Sequence, residues 1–154
     1  MRPRQWTKNA IIYAGLVFDG QLFNGEAFAR VTLSFFLLCL ISSTVYIVND
    51  LVDIESDRQH PVKKNRALPS GRLPIPLAII AAVVLPAASV LIALSYSIPF
   101  AAVLIIYLVL QLLYSFWLKH VVILDVLVVA AGFVLRVTAG VVVIEVARFS
   151  PWLY

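Results

Sequence analysis

Apolar residues run through this chain in long uninterrupted blocks, separated by short polar islands. Charged residues are bunched, and between Arg72 and Lys119 there is none. That gap far exceeds the roughly 18 apolar residues that cross a bilayer once. It holds two spans, with a turn where Ser95-Tyr96-Ser97-Ile98-Pro99 punctuates it. Five spans fit the whole pattern. The first covers residues 10–23 and is short, interrupted by Asp19-Gly20. The others cover about 27–48, 75–94, 100–118 and 121–146. Each must be a helix, because lipid cannot satisfy backbone polar groups. The β-branched fifth span would favour a strand in water, and the bilayer overrides that preference. The pattern therefore predicts an all-α integral membrane protein of about five transmembrane helices, with residues 1–154 forming one transmembrane domain.

Composition and charge sharpen this. The chain is 62% hydrophobic and 13% charged, with a net charge of +4. Arg2, Arg4, Lys8, Arg58, Lys63, Lys64, Arg66, Arg72 and Lys119 fall on one side of the five spans, and Arg30 and Arg148 on the other. By the positive-inside rule the N-terminus and the loop 49–73 face the cytoplasm and residues 19–26 the far side, as in a bacterial-type inner membrane. No basic face free of lipid remains for nucleic acid. Asp19-Gly20-Gln21 replaces the small-residue pattern of a cleavable signal. Cys39, the single cysteine, lies mid-span and cannot form an internal disulfide.

The second span ends on Asn49-Asp50-Leu51-Val52-Asp53-Ile54-Glu55-Ser56-Asp57-Arg58. On a helix, Asn49, Asp50, Asp53 and Asp57 share an arc of about 100° while Glu55 points away. Carboxylates so gathered repel one another unless a cation neutralises them. Mg²⁺ suits hard oxygen ligands and completes its shell with water and phosphate. This marks Asp50, Asp53 and Asp57 as candidate metal ligands and catalytic residues, with Asn49 beside them. The alternative is an acidic, solvated loop. Five cations follow, Arg58, Lys63, Lys64, Arg66 and Arg72. Carboxylates paired with Lys and Arg suit a metal-bridged polyphosphate. Arg58, Lys63 and Arg66 are the candidate phosphate contacts, whereas positive-inside anchoring suffices for Lys64 and Arg72. His60, before Pro61, reads as a turn residue.

Asp125 and Arg136 lie in the fifth span, about three turns apart on one face. Intramembrane charges usually face a polar cavity or a partner. Asp125 either reaches the Asp-rich loop or is solvated at the interface. Arg136 calls for a partner carboxylate or a phosphate. Gly132 and Gly140 flank it at spacings that allow close helix packing. Near the start, Trp6 reads as an interfacial anchor, and Arg4 and Lys8 either anchor or close over the phosphate site.

Asn49-Asp50 with Asp53 and Asp57 resembles the first aspartate-rich motif of the UbiA superfamily of intramembrane prenyltransferases. Three further segments resemble its decaprenyl-phosphate phosphoribosyltransferase branch. They are Arg2-Pro3-Arg4-Gln5-Trp6-Thr7-Lys8-Asn9, Asp57-Arg58-Gln59-His60-Pro61-Val62-Lys63, and Leu124-Asp125-Val126 with Ala131-Gly132-Phe133-Val134-Leu135-Arg136. The branch commonly carries Arg-Pro where this chain has Arg66-Ala67, with a proline only at Pro69. The resemblance implies a bundle of eight or nine helices, of which these residues would be the N-terminal part.

It further implies Mg²⁺-dependent transfer of a 5-phosphoribosyl group from phosphoribosyl diphosphate to a polyprenyl phosphate. Asp50, Asp53 and Asp57 would serve the metal-bound diphosphate. Asn49, Lys8, Arg58, Lys63, Arg66, Asp125 and Arg136 would bind substrate. The nearest alternative is prenylation of an aromatic acceptor such as 4-hydroxybenzoate. A different one is an inactive membrane fragment: five helices leave an open flank, so isolated residues 1–154 are expected to be inactive and to favour a homo-oligomer.

Overall fold

The computed structural model describes residues 3–118 and 122–144, all helix, turn and loop. Arg2, Lys119, His120, Arg148 and the segment after Ile144 lie outside the described residues, as does the side chain of Arg4. A 3-10 helix over Pro3–Tyr13 runs into α1, Ala14–Phe18. The long α2 follows over Gly25–Val52, then the short α3 over Ile54–Gln59 and a 3-10 turn over Lys63–Asn65. The chain continues through α4, Ile75–Leu94, α5, Ile98–Phe116, and α6, Val122–Val143. Among the described residues four helices, α2, α4, α5 and α6, are long and apolar enough to cross a membrane.

The expected first span is thus the exception. Asp19-Gly20 ends it early: Gly20 takes a left-handed φ of +68° and turns the chain toward α2. Its 3-10 geometry offsets the lost length. At about 2 Å per residue instead of 1.5 Å, residues 3–18 still extend for about 30 Å, comparable with the hydrocarbon thickness.

Helix starts follow local chemistry. Asn24 caps α2, its side-chain oxygen accepting from the backbone nitrogens of Glu26 and Ala27 at 3.2 and 3.4 Å. Ser97 caps α5 by accepting from Phe100 N at 3.3 Å, with a proline in the first turn. The turn expected near residues 95–99 is therefore real.

α2 lies at the centre, packed on the 3-10 helix, α4, α5 and α6. Its small hydroxyls replace bulky apolar groups where neighbours cross. Ser34 meets Tyr96 OH at 2.7 Å, Ser43 accepts from Trp6 Nε1 at 3.2 Å, and Ser42 accepts from Asn9 Nδ2 at 3.2 Å. The outer faces of α4 and α6 are apolar and exposed, as at Ile80, Val83, Leu91, Ile123, Val126 and Val134.

Glycines set the closest approach. A Cβ on Gly140 would overlap the carbonyl oxygen of Ile12, and one on Gly15 would stand 3.2 Å from the nitrogen of Val141. The N-terminal segment therefore lies with its backbone against α6, as small-residue spacing permits. A Gly140→Ala change must push the segments apart and should cost about 2 kcal/mol or more. Gly25→Ala, where nothing lies within 4 Å, is the control. Melting in detergent should fall clearly for the first and stay near wild type for the second; equal melting would contradict this packing.

Candidate active site

The acidic face forms across a break in the helix. α2 ends at Val52, and Asp53 leaves helical geometry with φ −93° and ψ 10°. The ladder nonetheless continues through it, with Asp53 N donating to Asn49 O at 3.0 Å and Asp57 N to Asp53 O at 2.8 Å. Asn49, Asp53 and Asp57 therefore stay stacked at four-residue steps. Glu55 points outward and pairs with Arg58 at 2.9 Å, both exposed.

The loop after α3 folds back over this face. His60 builds its first turn, its Nδ1 accepting from the backbone nitrogens of Val62 and Lys63 at 3.2 and 3.3 Å. Leu68 is the apolar anchor, buried with Ile47 of α2 and Ala78 of α4. Gly71 closes the turn with φ +76°. Arg72 staples the loop by donating to the Asn65 carbonyl and to Ser70 Oγ. The turn needs no proline after Arg66: Leu68 and Pro69 are buried, and Leu73 N returns to Ala67 O at 2.9 Å.

This fold delivers Arg66 to the carboxylates. Its Nη1 lies 2.6 Å from Asp57 Oδ2 and 3.3 Å from Asp50 Oδ1. Lys63 Nζ stands 3.6 Å from Asp57 Oδ1. Asp57 is almost fully enclosed, at 1% exposure. Apart from that Lys63 contact, Asp57 Oδ1 is buried with no hydrogen-bond partner among the described residues, and so is Asn49 Oδ1. Orphaned oxygens of this kind are unfavourable unless a ligand meets them.

Of the residues singled out from sequence, Asn49, Asp50, Asp53, Asp57, Lys63 and Arg66 thus share one helix end and loop. Others do not join them. Arg58 is on the exposed side of α3 with Glu55, and Lys8 is exposed. Asp125 accepts from Tyr114 OH at 2.7 Å, bridging α5 and α6. Arg136 donates to Asn9 Oδ1 at 2.8 Å and Tyr107 OH at 2.7 Å. Asn9, Tyr107 and Tyr114 were not legible beforehand, since pairs up to 127 residues apart leave no local spacing.

Among the described residues no three His, Cys, Asp or Glu side chains converge as a metal cage. Arg66 stands between Asp50 and Asp57 instead. The donors still fit a hard divalent cation: oxygen ligands only, with Asn49 Oδ1 unpartnered among the described residues, and Mg²⁺ binds through one or two carboxylates plus phosphate.

Residues 10–154 match the UbiA prenyltransferase family. The chain belongs to that family. Among similar proteins, the decaprenyl-phosphate phosphoribosyltransferase of Corynebacterium glutamicum is 37% identical over 158 residues, covering 99% of this chain and 47% of that protein. That of Mycolicibacterium smegmatis is 35% identical, covering 99% of this chain and 49% of the relative. An uncharacterized protein of Sinorhizobium fredii, y4nM, is 40% identical over the whole chain and 30% of its own length. This UbiA-family chain therefore spans about half the length, or less, of the curated relatives it matches.

The Arg66 bridge should be what holds the loop on the helix end. Arg66→Met leaves the enclosed Asp57 charge with Lys63 alone and should destabilise by about 2 kcal/mol, a buried-pair loss discounted for partial exposure. Backbone amide exchange over residues 60–73 should quicken about tenfold or more, while α4 and α5 stay protected. Unchanged exchange in the loop would rule the bridge out as its fastening.

Proposed function

We propose that this UbiA-family chain forms the diphosphate-binding side of an enzyme that transfers 5-phosphoribose from phosphoribosyl diphosphate to a polyprenyl phosphate. The observation that carries this is the Asp50–Arg66–Asp57 cluster with Lys63 beside it. Anionic oxygens and cations alternate there, at the end of a helix apolar enough to span a membrane. The names of the actinobacterial relatives support the ribosyl donor.

Asp50 and Asp53 are the principal residues to hold Mg²⁺ with the diphosphate, and Asn49 Oδ1 offers a further oxygen. The bound metal would supply charge neutralisation on the departing diphosphate. Lys63 and Arg66 face the remaining phosphate oxygens, Arg66 moving from its carboxylates to the ligand. Asp57 holds Arg66 in readiness before the ligand arrives and keeps Lys63 in place. The acceptor oxygen forms a bond to C1 of the ribose as the C1–O bond to diphosphate breaks. The diphosphate leaves with the electron pair. The acceptor phosphate is already ionised, so no side chain need act as nucleophile or base. The helix end and loop face the cytoplasm in this reading, where phosphoribosyl diphosphate would be available. The exposed apolar faces of α4 and α6 are proposed to be covered by further helices or by lipid.

The direct test supplies membranes bearing the protein that contains this chain with labelled phosphoribosyl diphosphate and polyprenyl phosphate. Lipid-linked phosphoribose is the expected product. Labelled prenyl 4-hydroxybenzoate from prenyl diphosphate, with no lipid-linked phosphoribose, would establish the aromatic alternative instead. Asp50→Asn and Asp53→Asn should each cut turnover by about a hundredfold or more, the scale of a main electrostatic contribution. Glu55→Gln should change it little, because Glu55 pairs outward with Arg58. Equal damage from Glu55→Gln would refute the assignment of that face.

The orientation has its own check. On a Cys39→Ser background, Gln21→Cys should react with an impermeant thiol reagent added to intact cells, and Ser70→Cys only after lysis. Labelling of Ser70→Cys from outside would reverse the topology.

A further inference from the structure

Arg136 is a charged group, deep in α6, that this site does not use. Sequence left it either a carboxylate or a phosphate as partner, and among the described residues no carboxylate pairs with it. Its partners are neutral. Nε donates to Asn9 Oδ1 at 2.8 Å and Nη2 to Tyr107 OH at 2.7 Å. These two bonds occupy the side edge of the guanidinium. The rings of Tyr107 and Phe133 lie 5.0 and 5.4 Å from its central carbon. What remains is the end-on edge, Nη1 and Nη2, the fork that matches two oxygens of one phosphate. Its hydrogens have no acceptor among the described residues. Asn9 is itself fixed, 1% exposed and donating to Ser42 Oγ and Cys39 Sγ at 3.2 and 3.3 Å.

The space beside that edge is polar. A Cβ on Gly132 would stand 3.3 Å from Arg136 Nη1 and 3.1 Å from Gln111 Nε2, so the glycine leaves both donors room. On α5, Tyr107, Gln111 and Tyr114 share a face at four- and three-residue steps; on α6, so do Asp125, Gly132 and Arg136. Bonds Tyr114–Asp125 and Tyr107–Arg136 bring these faces together. A polar stripe thus runs between two membrane-length helices and ends on a cation with no carboxylate partner among the described residues, an arrangement that a bilayer interior disfavours strongly.

We propose that the open edge of Arg136 binds the phosphate monoester of the lipid acceptor, with Asn9 and Tyr107 as positioning residues. This rests on the phosphoribosyl-transfer reading above. The spacing suits it. Ser42, which bonds Asn9 and Tyr107, precedes Asp50 by eight residues of α2, about 12 Å along the axis. That is room for a ribose ring between a diphosphate at Asp50 and a second phosphate near Arg136. A monoester held there is ionised and faces C1 from the side opposite the leaving group, and its tail passes between helices into lipid.

The test measures binding separately from turnover, in the protein containing this chain, in detergent. The probes are a radiolabelled polyprenyl phosphate, the matching polyprenol, and phosphoribosyl diphosphate. Arg136→Gln should weaken the polyprenyl phosphate about tenfold or more, abolish its preference over the alcohol, and leave phosphoribosyl diphosphate within about twofold. Should Arg136→Gln fail to fold, Arg136→Lys keeps the charge and loses the fork, and should weaken the lipid phosphate alone by about threefold or more. Asn9→Asp separates positioning from structure. It sets a carboxylate on the guanidinium, so melting should hold or rise while lipid-phosphate affinity falls further than in Asn9→Ala.

Unchanged lipid-phosphate affinity in Arg136→Gln, or in Arg136→Lys where only that folds, overturns the proposal. So does weakening confined to phosphoribosyl diphosphate, which would put the donor's 5-phosphate on Arg136. Lipid-phosphate binding that needs Arg136 in a protein transferring no phosphoribose would support this site and refute the transfer reading. Transfer with an acceptor KM indifferent to Arg136 would do the reverse.

Discussion

An ionised carboxylate as enclosed as Asp57 must be compensated within bonding distance, because desolvating it alone is prohibitive. Much of the loop's architecture serves that requirement. Arg66 supplies the short contact and Lys63 the longer one. Both belong to a segment with almost no regular structure, so they need other means of being held. His60 provides the first turn, Leu68 the apolar anchor against α2 and α4, and Arg72 the closing staple. Arg66 also touches Asp50, one helical segment away, so a single guanidinium fastens α2, α3 and the loop together. That is a demanding arrangement, since loss of any partner exposes the others to an unpaired charge.

The same logic governs the interior, with hydroxyls and amides in place of ions. α2 carries Ser34, Ser43 and Thr44 on its packed faces, and each bonds back to a carbonyl four residues earlier, at 2.9, 2.8 and 3.1 Å. Such bonds satisfy the hydroxyl within its own helix and leave it able to meet a neighbour. Ser34 and Ser43 do so with Tyr96 and Trp6. Between helices surrounded by apolar groups, these contacts fix relative positions that apolar packing leaves loose. Trp6, which reads as a membrane-interface anchor, therefore also ties the N-terminal segment to the central helix.

What sequence made legible follows from how local each signal is. Hydropathy located α4 to the residue and α2, α5 and α6 within a few residues, because length and apolarity are properties of the segment itself. The acidic face was readable for the same reason, as was Glu55 on the opposite side. Helix periodicity could not foresee the break at Asp53, nor that Arg66 would stand between Asp50 and Asp57. Arg58 looked equivalent to Arg66 by charge and proximity, yet three-residue spacing gave it to Glu55. The first span is helical as its apolarity implies, but nothing in its composition marks the 3-10 geometry. Asn9 carries no local sign of its bonding role. Its importance comes from Arg136, far along the chain, and from Gly140 and Gly15, which let the two segments touch.

Under the proposed reading, charge sign sorts two phosphate-bearing substrates that a single cationic pocket would confuse. The helix end at Asn49–Asp57 holds three carboxylates against Lys63 and Arg66, an acid-rich site that suits an anion arriving with a divalent cation. The stripe between α5 and α6 ends on one cation whose bonded partners are neutral, which suits an anion arriving without one. A metal-bound diphosphate is drawn to the first and poorly matched to the second, where its metal would meet a guanidinium. A bare monoester meets carboxylate repulsion at the first and a free guanidinium fork at the second. Both sites hang from α2, one at its end and one through Ser42, so the rigidity of a single helix sets the distance between the reacting groups.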